Sequence, residues 1–286
     1  MKAHARNAGR RAGFHRWLLP TIVCLLAAGA AGAAPAPGRI RAKVTADGSL
    51  MLYSGSRALG ALRGGLAEPG WHFTSAAGVT KTADPAATTR AFNLALSAGG
   101  AVRGSAAFTV QSNGCDAAYE FVPGQDTALL SLHVAAAFPV SALAGGRWTA
   151  DEKTGTFPAE LKDLMLFAGP VKSVALEFAG GGNLRLGFPS PTQILLQDDR
   201  RWGPTFTIRL LAVGGPEKTL RKGEAVKLAF TLSSEGGLPV SFDKPPAIAA
   251  GKEWVSVKDE RDIVPGSALD FSTQGFLDPP AGRHGR

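Results

Sequence analysis

Short runs of alternating apolar and polar residues recur along most of this chain, and they constrain its fold more than any other feature. In 40–44 the apolar residues Ile40, Ala42 and Val44 alternate with basic ones, and 225–232 repeats the pattern with larger side chains. Neighbouring side chains of a β-strand point to opposite faces, so a period of two indicates a strand with one buried face. The chain is therefore predicted to consist mainly of half-buried β-strands.

Pairs of these runs are joined by short turns that contain glycine. Such a turn between two alternating runs is typical of a β-hairpin, because glycine adopts the backbone angles that tight turns need. Three hairpins are predicted, in which 40–44 and 50–52 flank Asp47-Gly48, 88–97 and 102–111 flank 98–100, and 171–178 and 183–188 flank 180–182. Strands joined in this way are antiparallel neighbours.

Further short strands are predicted between and after the hairpins. Their runs are 71–74, 115–122, 128–136, 147–149, 205–211, 225–232 and 239–242. The segment 58–66 is interrupted by glycines and allows no assignment. One helix is predicted at 158–167, because Pro158 precedes apolar residues at helical spacing, among them Leu161 and Leu164.

A dozen or more short strands with almost no helix predict an all-β fold. Hairpins join strands that are close in sequence, whereas parallel neighbours would need long crossover connections. The expected architecture is a large two-layer antiparallel β-sandwich with an irregular C-terminal tail. No repeat of fixed period occurs, which argues against a propeller or a solenoid.

The first 33 residues have the three parts of a secretory signal peptide. A basic segment, 1–16, precedes an apolar segment, 17–31, and Ala31-Gly32-Ala33 has the small residues of a cleavage site. Cleavage after Ala33 would make the mature protein secreted or periplasmic, with no membrane span. A membrane anchor is the alternative, although about 15 apolar residues are short for a bilayer.

The alternating pattern stops after Ser233 and 239–242 is interpreted as a final strand, so we expect one β-sandwich domain over 34–242. The remainder, 243–286, has consecutive prolines at 245 and 246, which cannot join a β-ladder. It has no periodicity that could bury a core of its own. We interpret it as a linker and the lead-in to a downstream domain, loosely draped or extended over 251–286.

The net charge of +8 comes largely from the leader, which contains five basic residues and no acidic one. Without 1–33 the chain has 26 basic and 23 acidic residues. A balance this close to neutral gives no support for nucleic-acid binding. After cleavage Cys115 is the only cysteine, so no internal disulfide can form and a buried, unreactive thiol is expected.

No motif for a metal, a cofactor or a covalent nucleophile is present. The histidines lack ligand spacing, no Cys-x-x-Cys occurs, and the glycines at 180–182 join strands rather than precede a helix. His133 alternates with apolar residues and is interpreted as a hydrogen-bonded sheet residue. The sequence predicts no catalytic residue, no metal and no cofactor in this chain, and it leaves open whether the whole protein is an enzyme.

The densest polar cluster of the chain is Asp198, Asp199, Arg200 and Arg201, followed by Trp202. Adjacent strand residues point to opposite faces, so the two aspartates cannot both face one substrate if the strand continues through them. The cluster is therefore interpreted as a salt-bridged strand end. The alternative is a ligand site, in which Asp198, Asp199 and Arg201 bind sugar hydroxyls. Trp202 would then stack on the apolar face of the sugar.

Three other tryptophans, Trp71, Trp148 and Trp254, lie in short strand-like runs and are expected in the core. A flat row of exposed aromatic side chains would instead indicate a carbohydrate-binding surface. The sequence does not show which of these rings are exposed.

The C-terminal segment 262–285 resembles the junction found in a group of large secreted bacterial proteins. In these proteins an N-terminal β-sandwich precedes a cellulase-like (β/α)8 glycoside hydrolase domain. The pieces Leu-Asp-Phe-Ser at 269–272 and Asp-Pro-Pro-Ala-Gly at 278–282 carry most of the resemblance. Gln197-Asp198-Asp199-Arg200 with Trp202-Gly203 is similar to a segment of the same sandwich region. More loosely, the sandwich resembles those of mutarotase-like and polysaccharide-processing enzymes.

This resemblance covers roughly 129–286 and implies that the catalytic glutamates lie downstream, in the barrel. The expected function is that of an accessory, non-catalytic β-sandwich, which packs against that barrel in cis or extends its cleft. A stand-alone carbohydrate-binding module is the second hypothesis, with Trp202, Asp199 and Arg201 contacting a polysaccharide or oligosaccharide. A non-catalytic envelope or adhesion protein is the third.

Overall fold

The computed structural model describes residues 39–78 and 88–243, and most of them lie in strands. The strands are β1 Ile40–Val44, β2 Leu50–Ser54, β3 Arg57–Glu68, β4 His72–Ser75, β5 Ala77–Gly78, β6 Thr89–Ala95, β7 Ala101–Gln111, β8 Gly114–Pro123, β9 Thr127–Leu129, β10 Ser131–Pro139, β11 Arg147–Ala150, β12 Lys153–Thr156, β13 Met165–Glu177, β14 Asn183–Asp198, β15 Thr205–Val213, β16 Lys218–Leu220, β17 Val226–Ser233 and β18 Val240–Phe242. A four-residue helix, α1 (Val140–Leu143), follows β10. The expected signal peptide and the tail 244–286, with Trp254, lie outside the described residues.

A 16-stranded sheet contains all of these strands except β9 and β16, which form a small sheet of their own. Its main path runs β18-β1-β2-β3-β10-β15-β14-β17-β8-β7-β6-β5. Strand β4 lies beside β3, and β13, β11 and β12 extend the sheet from β14. Among the described strands every pairing is antiparallel except that of β1 with β18.

The large sheet folds back so that its two halves face each other across one core. Strand β14 joins the halves, because its C-terminal part pairs with β15 and its N-terminal part with β17. Across the core, the Tyr119 hydroxyl of β8 donates a hydrogen bond to the Gly48 carbonyl in the β1–β2 turn at 2.8 Å. The Phe92 ring of β6 packs on Gly64 of β3. The predicted all-β, two-layer sandwich is confirmed.

Burial alternates along the central strands as the sequence pattern predicts. In β10 and β15 the residues that face the core are Leu132, Val134, Ala136, Phe138, Phe206, Ile208 and Leu210, all of them buried. Burying a large aliphatic or aromatic side chain contributes about 1.5–3 kcal/mol relative to leaving it exposed. One face of each central strand is therefore buried in the core, and only the opposite face can contribute side chains to a functional site.

The three predicted hairpins are present as β1–β2, β6–β7 and β13–β14. The run at 147–149 lies in β11, the run at 225–232 largely coincides with β17, and the last run forms β18. The strands on either side of 123–126 are not neighbours, because β8 pairs with β7 and β17 whereas β10 pairs with β3 and β15. This turn therefore carries the chain from one half of the sheet to the other.

The glycine-rich segment 58–66, which the sequence left unassigned, lies within the 12-residue strand β3. Its glycines stand where neighbouring groups approach the backbone closely. A Cβ at Gly60 would lie 2.5 Å from the carbonyl oxygen of Ala137, and one at Gly64 would lie 3.0 Å from the ring of Phe92. The glycines that interrupt the alternating pattern of β3 are therefore the residues that leave space for these neighbouring groups to pack against the strand.

The predicted helix at 158–167 is wrong. Residues 158–164 form no helix, and β13 begins at Met165. The carbonyls of Pro158 and Ala159 accept hydrogen bonds from the Arg200 guanidinium, and that of Leu164 accepts one from the Asp198 amide. Leu161 is exposed, so the helical apolar stripe has no core to pack against. Across the described residues, no helix is long and apolar enough to cross a membrane.

Candidate functional site

The face opposite the core is partly polar on four neighbouring strands, β3, β10, β15 and β14. Directly paired residues share a face of the sheet. The register gives two rows across this surface, Arg63–Ala135–Arg209–Leu195 and Ala61–Ala137–Thr207–Gln197. We call the surface formed by these two rows the outer face. Most of its residues are half-buried, and its small alanines leave room above the backbone.

Arg209 is the centre of a polar cluster on the outer face. Its Nη1 donates a hydrogen bond to Oε1 of Gln197, and its Nη2 donates one to Oδ2 of Asp199 at 3.1 Å. Asp199 is 8% exposed, and within the described residues its Oδ1 has no hydrogen-bond partner. An arginine has five N–H donors, so the cluster combines further donors with an unused acceptor.

The edge of this cluster is aromatic. The guanidinium carbon of Arg209 lies 5.7 Å from the centre of the Phe73 ring of β4. Phe73 in turn stacks on Trp71, with 6.2 Å between ring centroids and 27° between planes. Both rings are largely exposed, Phe73 to 56% and Trp71 to 70%. We call these two rings the aromatic platform.

The aromatic platform stands on an anchored turn between β3 and β4. The buried Glu68 carboxylate accepts hydrogen bonds from the Ser97 amide at 2.9 Å and from its hydroxyl at 3.0 Å. The Trp71 amide donates to the Glu68 carbonyl at 3.0 Å, and Trp71 has a φ of 63°. The prediction that Trp71 belongs to the core is wrong, because this residue occupies the tip of the turn and β4 begins only at His72.

His133 of β10 lies beneath the cluster and is buried. Its Nδ1 is 3.0 Å from the Ser131 hydroxyl, and its ring packs against Gly65 of β3, where a Cβ would lie 2.9 Å from Nε2. Burial, and to a smaller extent the charge of Arg209, lower the pKa of His133 to about 3. The imidazole is therefore neutral at physiological pH. The prediction of a hydrogen-bonded sheet residue is confirmed.

Asp198 and Asp199 face opposite sides of the sheet, as the strand geometry predicts. Asp198 is fully buried, and its Oδ1 accepts a hydrogen bond from Nε of Arg200 at 2.8 Å. Its Oδ2 is paired with Nη2 of the same arginine. The interpretation of a salt-bridged strand end is confirmed for this pair. Asp199 pairs instead with Arg209, ten residues away in sequence.

Arg201 and Trp202 lie on the turn between β14 and β15 and are exposed. Hydrogen bonds from the amides of Trp202 and Gly203 to the Asp199 carbonyl, at 2.8 and 3.0 Å, close this turn. Of the four predicted ligand-binding residues, only Asp199 joins the Arg209 cluster. Trp202 is three residues beyond it, and Asp198 is sealed from the outer face.

Sequence reasoning missed Arg209, Gln197 and Phe73 as members of one site. Arg209 carried a usable signal, since it is the only charged residue of β15 and alternates with residues that face the core. Phe73 carried none, because its approach to Arg209 depends on the strand order β4-β3-β10-β15. That order results from non-local pairing, which no local pattern encodes.

Two predictions about single residues are confirmed. Cys115 is buried, and burial is the main cause that raises its pKa to about 12, so the thiol is unreactive. Trp148 is buried in the core next to Phe167.

Over 39–78 and 88–243, no three His, Cys, Asp or Glu side chains are grouped so that they could hold a metal ion.

Comparisons with known proteins found structural similarity but no matching sequence. No family model and no curated protein matches the chain. A galactose mutarotase-like protein from Lactobacillus casei superposes with a TM-score of 0.39 at 9% identity, over 66% of this chain and 95% of that one. A protein assigned as an aldose 1-epimerase from Escherichia coli K12 gives 0.39 at 13% identity, over 69% and 99%.

A third solved structure, 4-alpha-glucanotransferase from Thermococcus litoralis, gives a TM-score of 0.35 at 9% identity, over 63% of this chain and 28% of that one. Similarities as weak as these three carry no conclusion about the chemistry of this chain. The resemblance to the N-terminal region of glycoside-hydrolase-like proteins finds no confirmation among these comparisons. The candidate site is therefore judged by its own residues.

Proposed function

We propose that this β-sandwich is a non-catalytic carbohydrate-binding module. The observation that carries the proposal is the aromatic platform of Trp71 and Phe73, which lies directly beside the Arg209–Asp199 pair. Contiguous exposed apolar surface, rather than a single exposed residue, is what marks a binding site, and these two rings are stacked on each other. Next to a fixed donor and acceptor array, they match the amphipathic character of a sugar.

A sugar ring has one apolar face and a rim of hydroxyl groups. The exposed rings of Trp71 and Phe73 offer an apolar surface for the first, and the remaining N–H groups of Arg209 offer donors for the second. Oδ1 of Asp199 is buried, so the polar groups within reach of a ligand are those of Arg209 and its partners rather than this oxygen. Such a site uses the few convergent polar groups that typically orient a ligand in a mostly apolar pocket.

The site is also preorganised. Gln197 and Asp199 hold the Arg209 guanidinium from the β14 side, and Glu68 anchors the turn beneath the aromatic platform. Side chains that are already fixed lose little conformational entropy when a ligand binds. The geometry therefore favours binding without a large rearrangement.

Catalysis is not part of the proposal. Glycoside hydrolysis in most families needs two carboxyl groups that flank one bond. Asp199 is paired with Arg209, and the neighbouring Asp198 points into the core on the opposite face. His133 is buried and neutral, so it has no access to a substrate on the outer face.

We further propose that the module is the accessory part of a longer secreted, carbohydrate-active protein. The leader at 1–33 and the resemblance at 262–285 support this role. The coding sequence downstream of Arg286 tests it. A continuing frame that encodes a barrel with paired glutamates would support a domain in cis, and a stop codon directly after Arg286 would oppose it.

Replacing Phe73 by alanine tests the binding site. We expect at least a tenfold loss of affinity for the glycan that the wild-type protein binds, because truncating a central aromatic contact costs about 1.4 kcal/mol or more. The glycan is first identified on an array of soluble and immobilised polysaccharides. Affinity is then measured by calorimetry, with urea unfolding to show that the variant is folded.

Val110→Ala is the matched control, because Val110 is an exposed apolar residue on β7, away from the cluster. Its affinity is expected to equal that of the wild type. A folded Phe73→Ala protein with unchanged affinity would contradict the assignment of the site. An array on which the folded protein binds no glycan would remove the proposed function and favour the envelope or adhesion hypothesis.

A further inference from the structure

Trp71 has a backbone conformation that its residue type disfavours. Its φ of 63° lies in the left-handed region, where the Cβ of an L-residue crowds the following carbonyl oxygen. Glycine has no Cβ and adopts this region readily. Among the described residues with a positive φ, all except Trp71 and Asp151 are glycines. Trp71 is therefore a bulky residue at a position that suits glycine.

The turn before Trp71 does not require a large side chain at this position. Pro69 and Gly70 are its two central residues, and the Trp71 amide closes it on the Glu68 carbonyl. Proline at the first central position, followed by a glycine with a φ of 82°, is typical of a type II turn. Trp71 then directs the chain into β4, which a glycine would do without strain.

Asp151, the other non-glycine residue with a positive φ, is compensated by its own side chain. Its carboxylate accepts hydrogen bonds from the backbone amides of Lys172 and Ser173, at 3.0 and 2.8 Å. The Trp71 indole has no comparable partner, since within the described part of the chain its N–H donates no hydrogen bond. Its stack on Phe73 is the one ring contact it makes there, and both rings are largely exposed. The fold therefore gains little in return for the strained backbone of Trp71.

Trp71 is also the last of three groups that contact one another in order. The Arg209 guanidinium lies over the Phe73 ring, and Phe73 stacks on Trp71. Phe73 thus has two such neighbours, whereas Trp71 has only Phe73 among the described rings and cations. Because the two-ring indole is 70% exposed, it offers a ligand the larger apolar surface of the two.

Backbone strain that a fold does not offset is found most often at binding and catalytic sites. We propose that Trp71 is the main ligand-contacting residue of the aromatic platform, and that its left-handed backbone holds the indole in the binding position at the expense of stability. This inference rests on the carbohydrate-binding function proposed above and identifies the residue that determines its affinity. Phe73 supports the indole, and Arg209 contacts the hydroxyl groups of the ligand.

The order of stability of two variants tests the strain. Glycine is less stable than alanine at a position with ordinary backbone angles, and the order reverses where φ is positive. In urea unfolding of the full chain, Trp71→Gly is expected to have an unfolding equilibrium constant about fivefold lower than that of Trp71→Ala. Phe73→Gly and Phe73→Ala are the matched control pair, because Phe73 has no positive φ, and they should show the ordinary order.

Calorimetry with the glycan identified on the array tests the contact. Trp71→Gly and Trp71→Ala are both expected to lose at least about tenfold in affinity, although the first is the more stable protein. Trp71→Tyr restores an aromatic surface and should stay within about fivefold of the wild type. Val110→Ala, which shortens an exposed apolar side chain of β7, should leave the affinity unchanged.

Two results would overturn the inference while leaving the proposed function intact. The first is a Trp71→Gly protein that binds the glycan as tightly as the wild type while Phe73→Ala does not, which would confine the site to Phe73 and Arg209. The second is a Trp71→Gly protein less stable than Trp71→Ala, which would show that the position carries no strain. A folded wild-type protein that binds no glycan would overturn both the inference and the proposed function.

Discussion

Replacing Arg200 by methionine is expected to lower the free energy of unfolding by about 3 kcal/mol, the lower end of the range for breaking a buried ion pair. The variant leaves the fully buried Asp198 carboxylate without its guanidinium partner. It also removes the donors that the carbonyls of Pro158 and Ala159 now use. Because the Arg200 side chain keeps 16% of its area exposed, water offsets part of the loss. Urea unfolding, followed by tryptophan fluorescence, measures the effect.

Arg201→Met is the matched control, since this exposed neighbour carries the same charge on the same turn. Its stability is expected to stay within about 0.5 kcal/mol of the wild type, as is usual for surface substitutions. A double variant, Asp198→Leu with Arg200→Met, should be more stable than Arg200→Met alone, because it removes the stranded charge. Equal unfolding midpoints for Arg200→Met and Arg201→Met would show that the buried pair does not stabilise the turn.

Acidification is expected to destabilise the protein through His133. The pKa of this imidazole is about 3 in the folded chain and about 6.5 when unfolded, so between these values the unfolded state binds more protons. The stability contribution is therefore complete above about pH 6.5 and falls as the pH drops towards 3. At pH 4 the loss from this residue alone is on the order of 3 kcal/mol. Protonation would place an imidazolium beside the Arg209 guanidinium inside the sheet.

The measurement compares unfolding free energies at pH 7 and pH 4 for the wild type and His133→Gln. Glutamine can still hydrogen-bond to Ser131 but does not titrate, so its loss between the two pH values should be smaller by about 3 kcal/mol. His72→Gln, which changes an exposed histidine of β4, should keep the wild-type difference. If His133→Gln and His72→Gln lose the same stability, another group is responsible for the acid sensitivity.

Local chemistry was enough to predict much of the β-structure. The hairpins around Asp47-Gly48, 98–100 and 180–182 follow from glycine in a turn and a period of two on either side. Strand β3 was not predicted, because its glycines interrupt the alternating pattern. Glycine is needed there because the Ala137 carbonyl and the Phe92 ring, from strands distant in sequence, lie close to its backbone. The helix expected at 158–167 failed for the same reason, since the distant Arg200 donates hydrogen bonds to the Pro158 and Ala159 carbonyls, which in a helix would accept from backbone amides.

Only those features of the site that depend on strand geometry alone could be predicted from the sequence. The opposite orientations of Asp198 and Asp199 follow from pleating, and they remove Asp198 from any ligand on the outer face. The partner of Asp199 did not follow, because adjacent Arg200 and Arg201 were nearer in sequence than Arg209. Phe73 joins the site across three strand pairings, and Trp71 is exposed because it occupies a turn rather than a strand.

The parallel pairing of β1 with β18 bears on how the module transmits force. The two strands lie side by side, and the two ends of the described chain, Arg39 before β1 and Asp243 after β18, leave this ladder at opposite ends. Because the strands run in the same direction, tension applied at the two ends pulls them past each other along their axes. All of the hydrogen bonds between them are then loaded in shear at once, rather than opened one after another. A module built in this way can resist stretching when the polypeptide on either side of it is pulled.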